Sequence, residues 1–142
     1  MSWFVKPEPV RLDLSDGQFV VVKKYLTAGD TRRMYVRMWR QAPDGGVDPL
    51  MVGVSKILAY LVDWSLTDLE GRPVDLRESS DEQKASYLDN LDADRFGEIL
   101  AAIEEHETAT AEEKKLRIGS TPSAVTSQSP AAMVGAMSGS PN

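Results

Sequence analysis

The 142-residue sequence contains no cysteine. That excludes disulfide frameworks, thiolate metal sites and cysteine nucleophiles, and it suits a reducing compartment. Histidine is almost as scarce: His106 is the only one, set among Glu104, Glu105 and Glu107. Without a second imidazole or a thiolate it lacks the company of an ordinary metal ligand, and it reads as a solvated surface residue. No GxGxxG or GxxxxGK[ST] pattern occurs, so the common glycine-rich phosphate cradles are missing. Long apolar runs are missing too. The longest, Leu50 to Val62, is interrupted by Ser55 and Lys56 and is too short to span a bilayer. The N-terminus lacks the basic, apolar and small-residue succession of a secretory signal, so the expectation is a soluble intracellular protein. Charge vanishes after Ile118, and eighteen of the last 24 residues are Gly, Ser, Thr, Pro or Ala. So little apolar surface does not offset about 1–2 kcal/mol of ordering per residue, and the stretch 119–142 reads as a disordered tail behind a single domain of residues 1–118.

Elsewhere charge is abundant but uneven. The net value is −6; Met1 to Val62 has nine basic and six acidic residues, whereas Asp63 to Glu107 has four basic and fourteen acidic. A net-acidic chain is a poor electrostatic match to nucleic acid. Carboxylates are plentiful, yet nothing in the pattern sets one apart as the desolvated member of an acid/base pair. The chain reads as a non-enzyme, with no catalytic residue, cofactor or metal to assign.

Val10, Leu12 and Leu14 alternate with polar residues, the period of a half-buried strand. Asp16-Gly17 then supplies the positive φ angles of a tight hairpin, and "QFVVVKKYL" is the returning strand. Two strands are marginal alone, so the hairpin must pack on helices or pair at an edge. In "TAGDTRRMYVRMWRQ" the period changes: Met34, Tyr35, Met38 and Trp39 form an apolar stripe, with Asp30 as N-cap and "APDGG" as the stop. Pro49 suits the first turn of the next helix, whose stripe is Leu50, Val54, Ile57, Leu58 and Leu61. Ser80 with Gln83 predicts a capping box. Asp92 opens a last helix with Phe96, Ile99, Leu100 and Ile103 on one face. The fold class is α+β and mainly helical, an N-terminal β-hairpin followed by about four helices.

The candidate contact residues lie in two places. Arg33, Arg37 and Arg40 share a helical face with Trp39 near, and arginine and tryptophan are enriched at binding hot spots; the competing reading pairs these arginines with the acidic half of the same domain. In the tail, Met133 and Met137 of "AAMVGAM" form an adaptable apolar element.

The run "ILAYLVDWSLTDLEGRPVDL" (57–76), followed by "LDNLDADRFGEILAAIEEHE" (88–107), resembles the small tail assembly chaperones of long-tailed (siphovirus-type) bacteriophages. The similar pattern in that family is an apolar helix ending in a V-x-W-S/N-L-T-D-x-x-G-x-P-V turn, then an L-D-x-F-x-E-I-x-x-A-I helix; here three residues rather than one separate Asp92 from Phe96. The resemblance implies a chaperone in the host bacterial cytoplasm during infection, absent from the mature virion. It would bind the tape-measure protein, keep it soluble and help recruit tail-tube protein, with self-association possible and a longer frameshifted form common. No catalytic motif comes with it. The rival readings are a head–tail connector or minor tail protein retained in the virion, and a small nucleic-acid-binding regulator.

Overall fold

The alternation at Val10 and Leu12 becomes strand β1 (Pro9–Asp13), which returns as β2 (Phe19–Lys23) with Leu12 opposite Val20. Between them Asp16 (φ 57°) and Gly17 (φ 72°) take left-handed backbone, and the Gln18 N–H donates to Ser15 O at 3.1 Å. Two successive positive φ angles closed by that bond are the mirror-image turn that Asp-Gly favours. The computed structural model describes residues 2–40, 46 and 49–117, with the side chains of Arg40, Pro49, Leu50 and Arg117 outside the description. The expected tail at 119–142 lies outside the described residues, as does the helix stop at Ala42–Gly46 apart from Gly46.

Among the described residues four helices follow: α1 (Ala28–Arg40), α2 (Pro49–Tyr60), α3 (Asp81–Asp89) and α4 (Ala93–Arg117). The fold is α+β, mainly helical, as the periodicities predict. A third strand, β3 (Leu61–Trp64), was not expected. It starts where α2 stops and pairs antiparallel with β2, giving the order β1-β2-β3. Leu61, the last residue of the expected helical stripe, is buried, but opposite Val22 in the sheet. Val62 is an extra residue at a bulge between Leu61 and Asp63. The second edge of β2 would otherwise leave backbone donors and acceptors unpaired beside the core, and β3 satisfies them.

The main core joins all these elements except α1: Val20 and Val22 of β2, Ile57 and Leu58 of α2, Leu61 and Trp64 of β3, Leu88 of α3, and Ile99 and Ile103 of α4. Leu76 from the intervening loop is fully buried among them. Trp64 closes the end of the core as its bulk predicts, and its Nε1–H is buried without an acceptor. The segment after it is an Asp-directed turn. Asp68 Oδ1 accepts from the N–H groups of Glu70 and Arg72, each at 2.9 Å, while Gly71 adopts φ 81°.

Two capping expectations hold and one shifts. Ser80 and Gln83 form the reciprocal box at α3, and Asp92 Oδ1 accepts from Asp94 N–H at 2.9 Å at the start of α4. At α1 the cap is Thr27, not Asp30. Thr27 Oγ1 accepts from Asp30 N–H and Asp30 Oδ2 accepts from Thr27 N–H, both at 3.0 Å, so Asp30 is the third-position partner of the box.

His106 is not a solvated residue. It is buried, with Nε2 3.1 Å from Lys23 O and 3.2 Å from Lys24 O, and its ring meets Tyr60 edge-on at 5.8 Å. It follows Ile99 and Ile103 at i+7 and i+3, so it continues their inward stripe. Its acidic neighbours disguised that position. By contact the chain divides into two compact units after Glu107; of the second, residues 108–117 are described and are helical.

Candidate interaction surface

Helix α1 carries apolar residues on two opposite faces, and among the described residues only one of them is packed into the core. Met34 and Met38 are buried against Ala59, with Leu26 and Val52 beside them. Tyr35 and Trp39, read from sequence as part of the same stripe, are 53% and 54% exposed. With Arg32 and Val36 they follow i, i+3, i+4, i+7 spacing, which places all four on one outward face.

Arg33 and Arg37 occupy the flank between those faces. Arg33 Nη2 donates to Asp30 Oδ1 at 2.8 Å, and Arg37 Nη2 donates to Asp81 Oδ2 of α3 at 3.0 Å. The arginines therefore pair both within their own helix and with the acidic half. Trp39 is not their neighbour; it belongs to the outward stripe. The side chain of Arg40, and Met133 and Met137 entirely, lie outside the described residues.

Asp30 anchors the flank. Its side chain is only 6% exposed, and Lys23 Nζ also donates to Oδ1 at 2.8 Å. Burial pushes its carboxyl upward, but the bonds from Lys23 and Thr27 and the Lys23 charge outweigh that and hold it down at about 2.

Residues that sequence reading passed over complete the surroundings. Lys23 of β2, Arg77 of the loop before α3, and Asp81 and Lys84 of α3 line one hollow of about 340 Å³ with Asp30, Arg33 and Arg37. They are scattered over 62 positions in four elements, and no local spacing signals their convergence. Among the described residues no group of three or more His, Asp or Glu is placed to hold a metal ion, and no helix is long and apolar enough to cross a membrane. No family model matches this sequence, and neither a curated protein nor a solved structure matches it.

Proposed function

We propose that this chain is a non-enzymatic tail assembly chaperone that binds a tape-measure protein through α1, keeps it soluble and helps recruit tail-tube subunits. The observation that carries the contact surface is the outward stripe of Tyr35, Val36 and Trp39, each about half exposed or more. Aromatic side chains bury large area at low entropic cost and anchor interfaces out of proportion to their number. The partner and the setting rest on the resemblance of residues 57–76 and 88–107 to the chaperone family. Those two runs supply Ile57, Leu61, Trp64, Leu76, Leu88, Ile99 and Ile103 to the core. In this reading they are the scaffold, and α1 is the surface it presents.

A long helical partner offers many equivalent sites. Many copies, each bound weakly, sheathe such a chain by multivalency, while a net charge of −6 keeps the coated complex dispersed. The protein acts in the host cytoplasm and leaves before the virion is complete.

The test is affinity purification of the tagged full chain from producing cells, with mass spectrometry of what it retains. Recovery of a tape-measure-sized protein, reduced at least about tenfold by Tyr35→Ser with Trp39→Ser, is the expected result. Presence in purified virions with a capsid or connector partner would transfer the case to a retained structural protein. Salt-sensitive retention of DNA would transfer it to a nucleic-acid regulator.

A further inference from the structure

The hollow beside α1 gathers five cationic side chains and two anionic ones. Lys23, Arg33, Arg37, Arg77 and Lys84 face Asp30 and Asp81, an excess of positive charge in a chain whose net charge is −6. Arg77 is paired from outside this lining, by Asp63 at 3.1 Å. Lys84 has no ion-pair partner among the described residues. Like charges brought together from separate elements repel at short range in a partly desolvated site, and an anion seated among them relieves that repulsion.

The hollow does not end there. Arg33, Arg37, Leu58 and Asp81 also line a second, more apolar trough of about 410 Å³, which continues over Val36, Val54 and Ala85 to Glu82. Beyond the four shared residues the trough adds the apolar Val36, Met51, Val54 and Ala85 with one cation, Arg32, and one anion, Glu82. An extended polyanion such as a nucleic-acid backbone would meet Asp30, Asp81 and Glu82 and gain nothing from the apolar lining. A free small anion would leave the apolar trough unused.

We propose that this continuous groove between α1 and α3, floored by α2, is the docking site for an acidic amphipathic segment of the partner protein. Carboxylates of that segment enter the hollow at Arg37, Arg77 and Lys84, and the apolar side chains that follow lie against Val36, Val54 and Ala85. This inference rests on the reading of the chain as a partner-binding protein and specifies which partner chemistry it selects.

The experiment titrates the full chain, isotopically labelled, with three probes: a capped helical peptide bearing paired glutamates followed by a leucine stripe, the same peptide with lysines replacing the glutamates, and inorganic phosphate. The glutamate peptide should shift the amides of Arg37, Lys84, Val36 and Ala85, and the lysine peptide should not. Arg77→Glu with Lys84→Glu should weaken the glutamate peptide on the order of tenfold or more and strengthen the lysine peptide. Lys84→Ala, which introduces no new charge and breaks no ion pair, should weaken it in the same direction if the double variant fails to fold. Equal binding of the two peptides, shifts confined to another face, or phosphate reproducing the whole shift pattern would each overturn the proposal. The two readings fail separately. A cellular partner retained undiminished by Arg77→Glu with Lys84→Glu removes the groove and leaves the chaperone function. Selective peptide binding with no tape-measure-sized partner removes the chaperone function and leaves the groove.

Discussion

Asp30 does three jobs with one carboxylate, and its titration exposes them. Oδ2 closes the N-terminal box of α1, and Oδ1 accepts from both Lys23 and Arg33. A carboxylate this buried persists only because its acceptor sites are filled by charged or backbone donors. Its folded-state value of about 2 lies below the ordinary 3.8, so its contribution is fully present above the ordinary value and is lost as pH falls through about 2. A depression of this size corresponds to about 2 kcal/mol. Urea unfolding at pH 7 should therefore find Asp30→Asn destabilised by about that amount. The gap from wild type should close between about pH 4 and pH 2. A gap that stays constant down to pH 2 would mean the carboxylate charge is not what Asp30 contributes. His106 makes the same general point from the opposite direction. Its neighbours in sequence are acidic, but its neighbours in space include two carbonyls and the Tyr60 ring. Only its spacing from Ile99 and Ile103 carries that information.

Among the elements, the β2–β3 pairing is the feature most dependent on context, and Ser65 fastens it. Ser65 Oγ accepts from the Phe19 N–H at 2.8 Å and donates to Gln18 Oε1 at 2.6 Å, while its own N–H donates to Phe19 O at 3.0 Å. Ser65→Ala leaves the Phe19 donor without its partner, at a cost of about 1–3 kcal/mol. Ser86→Ala on the exposed side of α3 should stay within about 0.5 kcal/mol of wild type. Equal denaturation midpoints for the two variants would refute the role given to Ser65. Most elements were legible beforehand because their signals are local. Asp16-Gly17 dictates its turn, Ser80 and Gln83 their capping box, and Asp92 the start of α4. β3 was not legible, because "LVDW" has too few residues to establish a period and follows a helix without punctuation. Its strand character comes from the open edge of β2, which no neighbouring residue announces. The α1 cap shifted for a related reason: Thr27 and Asp30 both suit an N-cap, and only the reciprocal bonds decide between them.

Over the whole domain, ion pairs join the basic first half to the acidic second half, as the charge imbalance suggested: Arg37 to Asp81 at 3.0 Å and Lys56 to Glu107 at 2.9 Å. The traffic also runs the other way, with Arg95 of α4 reaching Asp16 in the hairpin turn at 2.8 Å. Of the candidate surface, Arg33, Arg37 and Trp39 were visible in sequence because they share one helix. The basic hollow was not, since Lys23, Arg77 and Lys84 meet only through the tertiary fold. The same pairings set the pH range of the molecule. On the acid side, Asp30 and Glu98 both titrate below their ordinary values; Glu98 is held down by the Ser15 N–H and Oγ, which donate at 2.6 and 2.9 Å. Their stabilisation is present above those ordinary values and is lost as pH falls. On the alkaline side, burial and then Glu107 push the Tyr60 hydroxyl up to about 12. Burial opposes the charge on Lys56, but Glu107 and Glu104 outweigh it and raise its value. A group raised on folding stabilises fully below its ordinary value, and that contribution disappears as pH rises through the folded one. Stability should therefore fall as pH drops below about 4 and as it rises above about 10. The urea midpoint measured from pH 2 to pH 12 tests this, and Tyr60→Phe separates the causes. Removing the phenol should make the decline between about pH 10 and pH 12 shallower than in wild type while leaving the acid side unchanged. An alkaline decline as steep as that of wild type would assign it to Lys56 and its carboxylates alone and remove Tyr60 from the account.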